Sequence, residues 1–403
     1  MHTLIIGGGA AGMAAAIEAA AAGQQVTVLE RGRKPLKKLG VTGNGRGNLL
    51  NSGEPVYYGD TAFALEVLRH MPYGRIAAFL MDCGISLAEE EEGRIYPACY
   101  LAGAAVDALK WRAQQLGVKI IVNTRVTALA KHGSGFAVSA LEAFYAEDTQ
   151  RKSGKTKPGA LLREEPVRYT ADRVIVTVGG AAAPAHGTDG TAYGLLTDFG
   201  HTMTDVRPAL CALLTDPKAV EGLSGQRVRA KLHLSSGAES AGEALFADGG
   251  VSGIAAMQLS RFVRPGDRLT MDLREAVMGQ AQHEDAEAWL QNRLNHGRTM
   301  ETLLVGAASP QLSRVLLRRA GGNLSELANL ITAFDLELTG TRGFDMAQVT
   351  AGGVAPSQFD PATMQSCLVP GLYAAGEVLD VDGACGGFNL MFAFATGMLA
   401  GRG

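Results

Sequence analysis

The chain has no C-x-x-C pair, little proline, few aromatics and no surplus of charge of either sign. Its five cysteines, Cys83, Cys99, Cys211, Cys367 and Cys385, are odd in number and far apart. That pattern argues against a disulfide scaffold or a zinc site and for a reducing compartment, so a cytoplasmic location is expected. The eight histidines form no cluster at metal-ligand spacing, and no metal is expected. A run of about 18 uncharged apolar residues, the minimum for a transmembrane helix, is also missing. Glu18 interrupts the apolar beginning and no basic segment precedes it, which speaks against a secretory signal. A net charge of −3 implies no strongly basic face. The expected partner is therefore a small-molecule substrate, with neither nucleic acid nor membrane.

What the chain does have is glycine: 52 in 403 residues, with only 14 prolines. The usual glycine share is about 7%, so this excess belongs to neither a collagen-like nor a low-complexity sequence. The length fits two or three structural units with cores large enough to need no staple. Eleven of the glycines fall in residues 1–53 and twelve in residues 340–403, so the excess marks two distant segments.

The first segment is a βαβ unit. Thr3 to Ile6 reads as a short buried strand, Met13 to Ala22 as a helix stopped by Gly23, and Gln25 to Glu30 as a second strand. Between strand and helix, Gly7-Gly8-Gly9-Ala10-Ala11-Gly12 matches G-x-G-x-x-G. Gly7 permits the tight turn, Gly9 lets backbone approach a pyrophosphate, and Gly12 allows close helix–strand packing. Phosphates would sit at the helix N-terminus, where unpaired N–H groups favour anions. Glu30 ends the second strand, where a carboxylate accepts hydrogen bonds from an adenosine ribose and disfavours a 2′-phosphate. A dinucleotide site follows, with FAD or NAD as candidates. Arg31 and Gly179, the latter at the end of a strand over Asp172 to Val178, join the candidate cofactor residues.

The second segment selects FAD. A strand over Leu372 to Ala375 ends in Gly376-Glu377, and Gly386-Gly387-Phe388-Asn389 opens an apolar helix running to Leu399. An NAD site gives no reason for this return, whereas the longer FAD needs a second clamp, with Glu377 or Asp380 near ribitol hydroxyls. The positive end of the last helix could face the flavin edge that gains negative charge on reduction.

Between the two segments the pattern changes at about residue 190. Residues 61–82 and 101–116 are helical, and Val118 to Val122, Arg125 to Lys131 and Phe136 to Glu142 are strands. The polar stretch Glu147 to Glu165 reads as an exposed loop or hairpin tip. Residues 205–270 alternate short strands with turns, and residues 272–335 show helical periodicity whose leucines belong to a core. The expected organisation is a discontinuous FAD domain of residues 1–190 and 340–403, a barrel-like insert of 191–270 and a helical insert of 271–339.

Several runs make the chain resemble the BaiN/RdsA-like NAD(P)/FAD-dependent oxidoreductases over essentially its whole length. They are Gly7 to Gly12, Lys34 to Gly40 with Thr42-Gly43-Asn44-Gly45-Arg46-Gly47-Asn48, and Arg207-Pro208-Ala209-Leu210. Gly222 to Gly225, Thr350 to Val354, Gly376 to Asp380 and Gly386 to Asn389 complete them. The resemblance implies an α/β fold: a glutathione-reductase-like Rossmann FAD-binding domain interrupted by an inserted β-barrel and a helical domain. It also implies that Thr42, Gly43, Arg46, Gly47 and Asn48 lie along the FAD and that the Val126 backbone meets the adenine. Arg46 suits a phosphate contact, while Lys34, Lys37 and Lys38 read as a solvated basic turn. Gly47 stands where the family usually has cysteine, and Ala247 to Gly250 replaces a stretch that usually contains Thr-His.

The implied activity is hydride transfer between flavin N5 and a small organic substrate, with NAD(P)H as transient donor, since only one dinucleotide fingerprint is present. An O₂-dependent oxidase of a small amine or aminoketone and a non-catalytic flavin sensor are the alternatives. No catalytic residue is evident. Cys385, beside the ring-facing glycines, is a weak candidate, because a lone cysteine is more often a small buried hydrophobe. His186 and His201, flanking a Gly-Thr-Asp-Gly stretch, read as structural.

Overall fold

Short apolar runs such as Thr-Leu-Ile-Ile and Arg-Val-Ile-Val carry no polar alternation, as strands covered on both faces require. They form a five-stranded parallel sheet in the order Leu372–Ala374, Arg173–Val176, His2–Ile6, Gln25–Leu29 and Lys119–Ile121. Leu4, Ile5, Val28, Val174, Ile175 and Leu372 are fully buried in it. The computed structural model describes residues 1–150, 156–157 and 159–403.

This sheet belongs to a unit of Met1–Val206 with Val349–Gly403, and Arg207–Gln348 forms a second unit. Residues 191–206, with the short helix Gly194–Thr197, lie in the first unit.

In the first unit the helix Ala10–Ala21 is almost all small residues, and that lets the last helix, Phe388–Arg402, come very close. A β-carbon at Gly397 would strike the Ala11 carbonyl, and one at Gly401 would stand 2.5 Å from the Ala15 carbonyl. The buried Arg173 guanidinium donates to the carbonyls of Ala400 and Gly403, at the negative end of the last helix. It also lies 4.2 Å from the centre of the Tyr373 ring.

The polar stretch Glu147 to Glu165 differs from expectation. Residues 151–155 and 158 lie outside the described residues. Leu161–Ala171 is a strand paired antiparallel with Gly135–Tyr145, not a loop. Its first six residues are exposed on both faces, so no alternation of apolar and polar residues announces it.

The second unit is a closed six-stranded antiparallel barrel. Its order is Leu213–Thr215, Gly250–Ser252, Glu239–Ala247, Arg227–Leu234, Arg268–Asp272 and Phe334–Thr341, which returns to Leu213–Thr215. Arg227–Leu234 alternates exposed and buried residues along its length, the pattern of a strand with one face in a core. The helices Ala286–Asn295, Pro310–Ala320 and Leu324–Thr332 do not form a separate core. Leu290, Leu304, Leu316 and Leu327 pack in one cluster with the barrel residues Leu232, Phe246 and Phe334. No helix among the described residues is long and apolar enough to cross a membrane.

Candidate functional site

The turn after His2–Ile6 is built from backbone packed on backbone. Gly7 has φ +104°, and a β-carbon there would stand 2.5 Å from the Thr177 carbonyl. The Thr177 hydroxyl donates to the Gly7 carbonyl at 2.8 Å, and a β-carbon on Gly12 would meet both groups. Gly9 is different: nothing lies within 4 Å of its β-carbon position. Two glycines thus close the turn, and the third leaves its surface open. The helix beginning at Ala10 has no side-chain cap and no acidic residue in its first turn. The leading N–H groups, those of Ala10, Ala11 and Gly12 among them, are therefore available to an anion.

Glu30 is already oriented. Its Oε2 accepts from the Gly8 N–H at 2.8 Å and its Oε1 from the Gly32 N–H at 2.6 Å, leaving further lone pairs for hydroxyl donors. Arg31 turns elsewhere, with Nε on the Gly187 carbonyl at 2.7 Å and Nη1 on Asp189 at 2.9 Å. Val126 is half-buried in the strand Thr124–His132, beside an irregularity in its pairing. Gly179, at φ +74°, is packed against Thr188.

The loop Leu39–Gly45 is a 3₁₀ turn broken at Thr42, Gly43 and Asn44, the latter two with positive φ. The Arg46 guanidinium has three protein partners. It pairs with Glu90 at 2.5 Å and lies over the rings of Tyr96 and Tyr100, at 4.5 and 4.7 Å. Gly47 has φ +79°, and a β-carbon there would stand 2.9 Å from Ala102 Cα. Asn48 Oδ1 is buried without a partner, 2.8 Å from the position a Gly387 β-carbon would take. Lys34 and Lys37 are exposed as expected, but Lys38 is not a solvated charge: its Nζ lies 2.7 Å from Glu377 Oε2.

At the C-terminal side, the Gly376 N–H donates to Thr396 Oγ1 at 3.0 Å, and the Asp380 carbonyl accepts from the Asp60 N–H at 3.0 Å. Gly386 and Gly387 both have positive φ, and a β-carbon on Gly387 would strike the Leu50 carbonyl. Asn389 closes the turn leading into the last helix: its Oδ1 accepts from the Gly383 N–H at 2.7 Å and its Nδ2 donates to the Gly383 carbonyl at 2.9 Å. Phe388 packs edge-on to Tyr57, whose hydroxyl donates to the Phe388 carbonyl at 3.0 Å. Cys385 is half-buried, and burial pushes its thiol up, away from the thiolate that a nucleophile requires. His201 stacks on Phe359 at 4.5 Å with Nε2 3.0 Å from Ser366 Oγ, a packed histidine rather than a reactive one.

Sequence reasoning missed the residues that hold these segments in place. Asn51 Nδ2 donates to the Gly386 carbonyl at 2.8 Å across 335 positions, and nothing near Asn51 in sequence points to Gly386. Thr177 directly follows the strand Arg173–Val176, and its nearness to Gly179-Gly180 is the one local hint.

FAD fits this frame on three observations: the open face at Gly9, the uncapped helix start beside the fixed Glu30 carboxylate, and the unpartnered buried oxygen of Asn48 by the last helix. Among the described residues, no cluster of three or more side chains could ligate a metal.

Residues 1–403 match the family model described as HI0933-like protein Rossmann domain. The chain is 34% identical to a Clostridium scindens protein named 3-dehydro-bile acid delta(4,6)-reductase, over 99% of this chain and 97% of that one. It is 26% identical to a protein of Haemophilus influenzae named ribosomal RNA dihydrouridine synthase, over 98% of this chain and 96% of that one. A protein of the same name from Escherichia coli is 26% identical over 98% and 95%.

Proposed function

The chain belongs to the HI0933-like Rossmann family, and from that premise we propose that it reduces a carbon–carbon double bond conjugated to a carbonyl in a steroid-like acid. It is an FAD-dependent oxidoreductase. The observation that carries the substrate class is the 34% identity over 99% of the chain to a relative whose name denotes reduction of a bile acid at such bonds. The dihydrouridine synthases are more distant, but their name also denotes adding two hydrogens across a conjugated double bond. They support ene reduction as the shared chemistry and give a second reading, a uridine in RNA. The net charge of −3 favours the small acid over RNA.

Bound FAD supplies at N5 an atom that gives or takes a hydride. The protein's share is binding and electrostatics. The N–H groups at the start of Ala10–Ala21 neutralise the pyrophosphate, and Glu30, fixed by Gly8 and Gly32, receives ribose hydroxyls. Gly43 and Gly47, at positive φ, set the path of the loop, and Asn48 offers its unpartnered oxygen. Asn51 and Asn389 hold the approach to the last helix, whose positive end stabilises charge on the flavin edge. NAD(P)H is the electron donor in this reading and binds transiently, there being one dinucleotide fingerprint for two dinucleotides. The FAD-binding fold is of the glutathione-reductase-like type in this reading, and the location is cytoplasmic.

Anaerobic mixing of the yellow protein with NADH or NADPH tests this. Bleaching by either, followed by recovery of colour on adding an unsaturated 3-keto bile acid, is the expected result. Recovery only with unmodified ribosomal RNA transfers the assignment to the second reading. Bleaching by an amine alone, reversed by air, makes the protein an oxidase and ends the reductase proposal.

A further inference from the structure

Two predicted roles for charged residues meet at one place. Glu377 is expected near the cofactor's hydroxyls, and Lys38 in solvent. The structure joins them in an ion pair with Nζ–Oε2 2.7 Å, and their side chains are 27% and 20% exposed. The other carboxylate oxygen is also engaged, since Glu377 Oε1 accepts from the Thr350 N–H at 2.9 Å. Thr350 Oγ1 in turn accepts from the N–H groups of Ala181 and Ala182, at 2.8 and 3.0 Å. Gly180 makes this convergence possible, because a β-carbon there would lie only 3.1 Å from Glu377 Oε1 and would clash with Thr350.

The position of Lys38 gives the pair its meaning. It immediately precedes the turn Leu39–Gly45, which carries Thr42 and Gly43, while Glu377 follows Gly376 at the end of the strand Leu372–Ala374. The ion pair thus ties together two cofactor-facing segments 339 positions apart. Turning the carboxylate toward a ligand would leave a half-buried ammonium with only the Ala182 carbonyl, at 3.5 Å, as its acceptor, which is unfavourable.

We propose that Lys38 and Glu377 form a latch that orders the Gly-rich loop against the Gly376–Asp380 turn, and that Glu377 is a positioning residue rather than a ligand of the cofactor. The proposal rests on the FAD reading above, and its test separates the two. FAD is removed from the full-length protein and added back to wild type, Lys38→Met, Glu377→Gln, the double variant and Lys38→Arg, following quenching of flavin fluorescence. Amide hydrogen exchange over residues 39–47 is measured in the same FAD-free proteins.

Each neutralising single variant raises the FAD dissociation constant about 10-fold, and the double variant is no worse than the weaker single. Lys38→Arg, which keeps the charge, restores binding to within about 3-fold of wild type. Exchange over residues 39–47 accelerates equally in both singles and the double. Losses that multiply in the double variant mean that Glu377 contacts FAD independently of Lys38 and overturn the latch. Singles with unchanged affinity and unchanged exchange also overturn it. Wild type that takes up no FAD defeats the cofactor reading instead, and the exchange measurement then decides the latch alone.

Discussion

Glycines packed tightly against backbone are concentrated in one of the two units. In the unit of residues 1–206 and 349–403, Gly7, Gly12, Gly397 and Gly401 stand where a β-carbon would meet backbone. They are there because space is short. In the unit of residues 207–348, Gly266, Gly279, Gly297, Gly306, Gly321 and Gly322 have nothing within 4 Å and positive φ. They are there because the chain must turn, and the barrel's core is made by side chains such as Phe246 and Phe334, edge to face at 5.8 Å. Gly250 and Gly253 are the barrel's exceptions, both tight against backbone. Both units place glycines in open turns, Gly23, Gly84 and Gly117 among them in the first; what sets the first unit apart is backbone packed on backbone, where the barrel packs side chains.

The sharpest way to break this comparison is Gly12→Ala. It should cost about 3 kcal/mol of stability in denaturant unfolding, together with FAD uptake, because neither the Gly7 carbonyl nor Thr177 can move without the sheet. Arg173→Met comes next, at about 2 kcal/mol in the same measurement, since it strands the Ala400 carbonyl of the final helix in a buried place. Glu30→Gln should leave the unfolding midpoint of the FAD-free protein near wild type but weaken FAD binding about 10-fold by titration. Gly321→Ala, at φ +57° with open space around it, should cost only about 1 kcal/mol. If it costs as much as Gly12→Ala, the distinction between the two kinds of glycine collapses.

The smallest effect is in pH. Burial holds the His201 pKa below its usual 6.5, so the unfolded chain binds a proton more readily than the folded one. Stability is then full above about pH 6.5 and declines as pH falls from there toward the folded pKa. His201→Gln should flatten that part of the pH–stability curve, and an unchanged slope would remove His201 as its source.

What the sequence disclosed and withheld divides along similar lines. The turn from Gly7 to Gly12 and the acid at Glu30 were legible because their spacing is local and fixed by strand and helix geometry. Lys38 was misread because its partner lies 339 positions away and no local pattern marks a lysine that will be half-buried in an ion pair. The strand Leu161–Ala171 was read in part as a loop because an arm exposed on both faces shows no period of two. The barrel's last strand, Phe334–Thr341, comes after the helices, so the helical stretch looked like a module of its own, though it shares the barrel's core.

The packing of the last helix on the first has a kinetic consequence. Gln24 donates to the carbonyl of Gly401 across 377 positions, and the edge strand Leu372–Ala374 completes a sheet whose centre is His2–Ile6. During synthesis the βαβ segment must wait, with one face uncovered, until residues 372–402 have been made. Residues 207–348 are continuous and can close their barrel first. The first unit therefore completes its sheet only after the barrel between its two parts has been made, and its earlier segments stay open to aggregation for longer.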